Sequence, residues 1–548
     1  MLKCVLFEDA DLLAINKPAG LNTHAPSPYA GEGIYDWLRH REPRWAKLAI
    51  IHRLDKETSG IIVFSKSAQA NRSLTEQFTN RSIRKKYFLL TDRPVPQPEL
   101  TTKSYIARAG EKYVSRPQHS GGELAETRFR VLGPNDQTKS LGTSGFWNSE
   151  STIVEAQPIT GRTHQIRVQA AEQGFPILGD TLYGGTPALR VYLHASEITF
   201  KHPATGQDVT FCAPLESGDS GSDPFLALRA ALIEPEFTNA YRMIHGASDG
   251  WPGWYVDRFG EYLLSQSQEP LGKGCIEELQ RLVRVHESHG ACHKLLRRDP
   301  RAALADVSPQ PVIGSAPQPR FVIRENGLQF ELSFGEGYSV GLFLDQRDNR
   351  RRLLTGRIAA GFPLCQVGSA TEKSRPELLN TFAYTCAFSV CAAKAGFRTT
   401  SLDLSRKYLE WGRRNFALND IDIAEHDFIY GDAFDWLRRL AKKQRLFDVI
   451  LLDPPTFSQS KAHGVFRVEK DLGKLVSGAL PLLKKGGVLF ASTNAADWPP
   501  EKFLAAVTDS VGLGKRRIVE KHYVPQPPDF PISKAEPAHL KSVWLQLD

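Results

Sequence analysis

Two kinds of hydrophobic pattern divide the chain. In the first part, short apolar runs alternate with polar turns, which predicts strands. Asp11–Ile15 runs into the turn Lys17-Pro18-Ala19-Gly20, and Ile61-Ile62-Val63-Phe64 follows Thr58-Ser59-Gly60. Phe88-Leu89-Leu90 and Thr152–Ala156 are two further strands, with an aperiodic polar stretch over 131–150 read as an inserted loop. Ala70, Leu74 and Phe78 form one stripe of a helix over Ser67–Asn80, and a second helix opens in Thr160–Arg167 and closes at Gly174. From about Gly335 strands and helices alternate. Glu377–Phe382, Thr399–Asp403 and the fully apolar Phe447–Leu452 are strands; Phe388–Gly396 is a helix, and Ser405 caps another that runs to Asn419. Such alternation predicts a parallel sheet with ligands at the carboxyl ends of its strands. Between these parts, residues 225–335 read as a small α+β module with a helix over Cys275–Glu287 and an irregular, Pro-rich Asp306–Pro319.

At 548 residues the chain exceeds one hydrophobic core, so several domains are expected. The stretch PLESGDSGSDP, Pro214–Pro224, marks the main boundary. The expected division is 1–215, a linker over 216–224, the module over 225–335 and a last domain over 336–548. A cut in the linker is expected to give two folded, separately active parts. A hydrophobic share of 41% and a charged share of 24% fit a globular protein, and no apolar run is long enough to span a bilayer. No signal-peptide pattern opens the chain, so a cytoplasmic location is expected. The formal charge of +8 suits a polyanion without requiring one. Seven scattered cysteines without C-x-x-C spacing argue against zinc and against a disulfide framework, and no metal is expected. The oligomeric state stays open, a monomer included.

The first candidate chemistry lies in His52–Ser67, HRLDKETSGIIVFSKS. Asp55 sits between a basic pair and a tight turn feeding a strand. A carboxylate held there can act as a nucleophile or in acid–base chemistry, although a lone Asp in a turn is more often a surface residue. Arg81, Arg84, Lys85 and Lys86 end at Tyr87, an order suited to phosphate contacts beside a ring that stacks on a base. A core tyrosine beside solvated charges would look the same. His164 and Arg167 are three apart on one helix face.

Taken together, NKPAGLNTHAP, HRLDKETSGIIVFSKS, KKY and TGRTHQIRVQAAEQGFPILGDTLYGG resemble, in order, the RluA family of RNA pseudouridine synthases over roughly residues 5–215. The resemblance implies a mixed α/β fold around a twisted sheet, and conversion of uridine to pseudouridine without a cofactor. It implies that Asp55 is the essential carboxylate, paired with Arg167, and that Tyr87 packs on the target base. Arg53 would fill the gap left by a flipped uridine.

In the second part Asp403 follows the loop after the first strand by about 20 residues, a spacing at which an acid can bind ribose hydroxyls. A dinucleotide enzyme is the rival reading. Asn380–Phe388 lacks its glycine ladder, and Asp453-Pro454-Pro455-Thr456-Phe457 is typical of methyl transfer to a planar nitrogen. GLFLDQRDNR, LLNTFAYTCAFSV, SLDLS, YGDAF and DPPTFSQSK together resemble the S-adenosylmethionine-dependent 23S rRNA methyltransferases of the RlmI and RlmK group. DGWPGWYVDRFG resembles the module that precedes their catalytic domain, and the whole likeness covers about residues 225–505. It implies a Rossmann-like class I fold that binds S-adenosylmethionine. Asp403 would bind the cofactor ribose and Asp432 would lie near the adenine. The Phe382–Thr385 loop, with Phe382, Tyr384 and Thr385, would pass beside the methionine part, and Asp453 would face the substrate base.

One departure stands out. Relatives commonly carry Gly where this chain has Cys386, whose side chain is expected to crowd the cofactor. Methylation at carbon 5 of cytosine needs a thiolate, yet the strand Gly487–Ala491 runs into Ser492-Thr493-Asn494, and no Cys follows Cys391. A guanine ring nitrogen needs no such help, and DPPTFSQSK resembles the guanine-modifying RlmK type more than the cytosine type, which implies 7-methylguanine in 23S rRNA as the product and RNA as the partner. The alternatives are an RNA-binding assembly factor with an idle site, and methylation of cytosine carbon 5 or of protein.

Overall fold

A computed structural model of the chain describes residues 2–118, 121–133, 151–214, 223–296, 308–336, 339–364, 375–460 and 464–548. The body of the expected inserted loop and most of the expected linker lie outside the described residues, as does Cys365. Among those described, no helix is long and apolar enough to cross a membrane. The fold is mixed α/β, in two compact units. The first comprises Met1–His24, Gly33–Leu38 and Lys47–Glu234; the second comprises Ala25–Glu32, Arg39–Ala46 and Pro235–Asp548.

The first unit is built on an 11-stranded sheet. The strand Ser59–Ser65, which carries the end of the Asp55 motif, is buried along its whole length. It pairs antiparallel with Leu12–Lys17 and parallel with Leu193–Lys201. A side chain at Gly60 is impossible, because a Cβ there would lie 2.2 Å from the carbonyl oxygen of Ala195. The glycine, at φ +115°, is what lets the two strands close up. Arg84–Thr91 joins the far side of Leu193–Lys201 and places Tyr87 opposite Ala195. Leu89, Phe129, Val154, Ile166 and Phe175 form the core under the helix Gln165–Glu172. The helix Ala68–Thr79 starts where the hydroxyl of Ser67 accepts a hydrogen bond from the Ala70 amide.

The second unit holds a seven-stranded sheet in the order Asp427–Tyr430, Arg398–Asp403, Glu377–Thr381, Phe447–Leu452, Leu483–Thr493, Lys541–Leu547, Ile518–Pro525. The first five strands are parallel and the last two antiparallel. Consecutive residues feed opposite faces. Leu378, Val449 and Val488 belong to one core, and Leu379, Ile450 and Leu489 to the other. The preceding module is a five-stranded sheet with the helix Lys273–Val285 crossing between the parallel strands Tyr262–Ser267 and Gly290–Leu295. Part of the stretch expected to be irregular is a strand, Gln310–Gly314. It lies at the sheet edge, where Pro311 need not donate to a second neighbour.

The units do not follow the expected boundaries. The helix Pro224–Leu232 belongs with the first unit, whereas Ala25–Glu32 and Arg39–Ala46 belong with the second. There Arg351 pairs with Glu42, Arg357 donates to the carbonyl of Arg39 at 3.1 Å, and Tyr29 packs edge-on against Tyr523. The composition of 214–224 signals a break, but such long-range contacts leave no local signature. A cut within 215–222 is therefore expected to leave the two pieces bound, co-eluting on gel filtration in buffer and parting only in denaturant. Clean separation in buffer would contradict this.

Candidate functional site

In the first unit Asp55 lies in the turn before Ser59–Ser65, its main-chain carbonyl accepting from the Thr58 amide. Leu54 beside it is fixed on both backbone groups by the hydroxyl of Thr23, at 2.8 and 3.1 Å. Asp55 Oδ2 stands 3.8 Å from Arg167 and 3.9 Å from His164 Nε2. Burial raises the pKa of Asp55, against the lowering effect of His164 and Arg167. Tyr87 is half-buried in its strand, and burial together with the charge of Asp55 pushes its phenol up. The structure thus brings Asp55, Arg167 and Tyr87 into one electrostatic neighbourhood. Arg53 is exposed on the other side of Leu54 in the chain.

Asp55 is not the main partner of Arg167. The guanidinium makes its two shortest bonds to Asp180, at 2.6 and 2.8 Å, and also approaches Glu57 at 3.4 Å. Asp180 and Arg167 are both buried. A bidentate buried pair fixes the plane of the guanidinium, so Asp180 sets which nitrogen faces Asp55. Nothing in the sequence spacing marks the Asp180 carboxylate as an ion-pair partner. His164 is not on the helix proper but at its N-cap in a left-handed conformation, φ 56°. Its Nε2 accepts from Arg167 at 3.2 Å, so its proton sits on Nδ1 and points at the hydroxyl of Tyr183, 2.8 Å away. Lys17, also missed, is fully buried and donates to the carbonyls of Pro18 and Leu21 at 2.9 and 2.7 Å. Burial pulls its ammonium down to about 7, against the charges of Glu57 and Asp55.

The basic run is not a uniform phosphate-facing patch. Lys85 lies over the ring of Phe78, with burial pulling it down to about 8, and Lys86 pairs with Glu197 at 3.3 Å. Arg81 and Arg84 are the exposed members.

In the second unit a cavity of about 700 Å³ opens at the carboxyl ends of the central parallel strands. Phe382, Ala383, Tyr384, Thr385, Asp403 and Asp453 line it. The loop after Glu377–Thr381 is unusual: Phe382, Tyr384 and Cys386 all have positive φ, 61°, 49° and 61°. Such left-handed residues persist only where the surroundings hold them. Here the hydroxyl of Thr385 donates to the Gly341 carbonyl at 2.7 Å, and Asn415 donates to the Thr385 carbonyl at 2.9 Å. The two oxygens of Asp403 accept from the amides of Tyr384 and Ser405, both at 2.8 Å. Burial raises its pKa. A carboxylate at a strand end, beside Leu404 and the ring of Tyr408, fits a ribose next to a flat base.

Two expectations about this site change. Asp432 does not line the cavity; its carboxylate caps the helix Ala433–Lys442 through the amides of Phe434 and Asp435. Cys386 does not line it either. Its thiol turns into the core, towards Gly412, where a Cβ would meet Sγ at 2.3 Å. The absent side chain of Gly412 provides the space that the Cys386 thiol fills. Burial pushes the Cys386 thiol up to about 12, so it is inert.

Asp453 is held at Oδ1 by the hydroxyl of Ser492 and by Gln346 at 3.2 Å. Burial raises it to about 6. Elsewhere, Glu32, His40 and His522 could offer three metal-ligand atoms within 4.8 Å of one another. The surroundings oppose a cation. Arg352 stands 3.6 Å from Glu32, and burial with the Arg352, Arg39 and Arg357 charges pulls His40 down to about 3.

Comparison with known proteins gives two family matches. Residues 11–172 match the RNA pseudouridylate synthase model, and residues 297–545 match the S-adenosylmethionine-dependent methyltransferase model. A ribosomal RNA large subunit methyltransferase of Deinococcus radiodurans is 33% identical over 336 residues, covering 60% of this chain and 78% of the relative. The ribosomal RNA large subunit methyltransferase I of Klebsiella pneumoniae is 32% identical over 319 residues, covering 57% and 74%. The ribosomal large subunit pseudouridine synthase C of Yersinia pestis is 36% identical over 230 residues, covering 39% and 66%.

Proposed function

Because the chain belongs to the S-adenosylmethionine-dependent ribosomal RNA large subunit methyltransferases and carries an RNA pseudouridylate synthase domain before that part, we propose that it makes two modifications in 23S rRNA, pseudouridine and 7-methylguanine. In the first unit the Asp55 carboxylate assists cleavage of the bond between ribose and uracil, and the freed base turns and rejoins through carbon 5. Arg167, clamped by Asp180, offers Asp55 a fixed cation, which counters the burial that would otherwise protonate it. Tyr87 supports the base, and Arg53 occupies the gap in the RNA.

In the second unit the cofactor supplies an electrophilic methyl group. Asp403 holds its ribose, and the loop from Phe382 to Thr385 lies along its methionine part. Asp453, largely ionised at neutral pH, accepts from the N–H groups on the Watson–Crick edge of guanine and so orients the ring. The ring nitrogen N7 then attacks with its own lone pair and needs only alignment.

One observation carries the choice of a non-covalent reaction: among the described residues no cysteine lines the cavity, and burial pushes Cys386 and Cys391 up. Among the described residues a C5-cytosine mechanism would find no thiolate to add to the base. The test is nucleoside mass spectrometry of 23S rRNA incubated with the protein and methyl-labelled S-adenosylmethionine. Label is expected in 7-methylguanosine, and label in 5-methylcytidine would overturn the assignment.

A further inference from the structure

We infer that Gln346 is a positioning residue for methyl transfer, and that a hydrogen-bond chain starting at the indole of Trp544 makes it a donor to Asp453. The chain is buried from end to end: Trp544, Asn349, Gln346, Ser492 and Ser542 are each at most 3% exposed. Its direction follows from chemistry. An indole N–H can only donate, so at 3.0 Å from Trp544 Nε1 the Asn349 atom must be the carbonyl Oδ1. The Asn349 amide nitrogen therefore faces the other way, donating to Gln346 Oε1 at 2.7 Å and to the Ser542 hydroxyl at 3.1 Å. Ser542 passes its own proton to the Val524 carbonyl at 2.7 Å, so it is free to accept. With Oε1 of Gln346 engaged, its amide nitrogen is turned to Asp453 Oδ1 at 3.2 Å.

Ser492 donates to the same oxygen. Two donors on Oδ1 fix the carboxylate plane and leave Oδ2 for the cavity. They also favour the ionised form, opposing the burial that raises Asp453. The other charges around Asp453 are Asp345, which raises it, and Arg350, which lowers it. Both have partners of their own: Asp345 bonds His539 at 3.1 Å, and Arg350 grips Glu325 at 2.6 and 2.7 Å. Gln346 is thus a neutral donor among charges that are already committed. Losing it changes the protonation of Asp453 without unpairing an ion.

This rests on the reading that Asp453 contacts the substrate base as an acceptor, and the test separates the two. Gln346→Met keeps the length of the side chain and removes the donor. The acid limb of the kcat–pH profile for methyl transfer is expected to move up by about one to two units, as loss of a hydrogen bond to a charged group would cause. At pH 7 kcat should fall roughly two- to tenfold, and it should recover by about pH 9 as Asp453 ionises. Trp544→Phe should move the limb in the same direction by less, because Asn349 is then free to turn. S-adenosylmethionine affinity, read by calorimetry, should be unchanged in Trp544→Phe, whose indole does not line the cavity. The Asp453 pKa is read independently of activity, by carboxyl-carbon NMR of the full chain against Asp453→Asn. A Gln346→Met loss that is equal at every pH, or an Asp453 pKa that does not rise, would overturn the inference. Label in a base other than guanine would overturn the 7-methylguanine reading while leaving the pKa result standing.

Discussion

Asp55→Asn should abolish pseudouridine formation, by roughly 10⁴-fold or more, the scale of losing a reacting carboxylate. Tritium release from uridine-labelled RNA measures it. The loss should be chemical and not structural, since Asp55 meets Arg167 and His164 only at 3.8 and 3.9 Å. A second signature follows from its raised pKa. A carboxyl whose folded pKa lies above its unfolded value lends the fold stability at low pH, and that stability is lost as pH rises through the folded pKa. The parent protein should therefore give up that increment between acid and neutral pH, whereas Asp55→Asn should not. At pH 7 the variant should melt no lower than the parent. Its methyl transfer should be untouched, an internal control from the same chain. Near-normal pseudouridine formation by Asp55→Asn would remove Asp55 from the reaction.

Asp180→Ala should be the most destabilising single change near this site, by about 3–5 kcal/mol, the usual cost of stripping one partner from a buried ion pair. Of its carboxylate partners the guanidinium of Arg167 would keep Glu57 and Asp55, now at 3.4 and 3.8 Å. It should swing toward Asp55, and the tighter pair should blunt the carboxylate as well as strain the fold. Urea unfolding checks the first effect as a lower midpoint at unchanged slope. A roughly hundredfold lower rate of pseudouridine formation in the folded variant checks the second, as expected when a reacting group is misplaced by about 1 Å. An unchanged midpoint would mean that Glu57 can take over the role of Asp180.

Much of this protein is legible along the chain because the information is local. Alternating and fully apolar runs marked Ser59–Ser65 and Phe447–Leu452, since a strand's burial is written in its own residues. Ser67 and Ser405 marked helix starts, since an N-cap bonds only two or three residues away. Asp55, Asp403 and Asp453 stood out because each ends or borders such an element. The edge strand Gln310–Gly314 did not, because Pro311 and the prolines around it hide a pairing that Gly290–Leu295 supplies.

What the chain order leaves open is which side chain meets which across long separations. Asp180 reaches Arg167 across a turn, Gly412 makes room for the Cys386 thiol, and Trp544 orients Gln346 through Asn349. The resemblance implied that Asp432 lies near the adenine, yet its Oδ1 accepts from the first amides of the next helix. The motifs by themselves determined the two chemistries, because the reacting groups sit in short stretches with their own turns. Only the tertiary structure decided the orientation of those groups, because a buried polar atom takes its partner from whatever the fold places within 3 Å, and the spacing of residues does not record that.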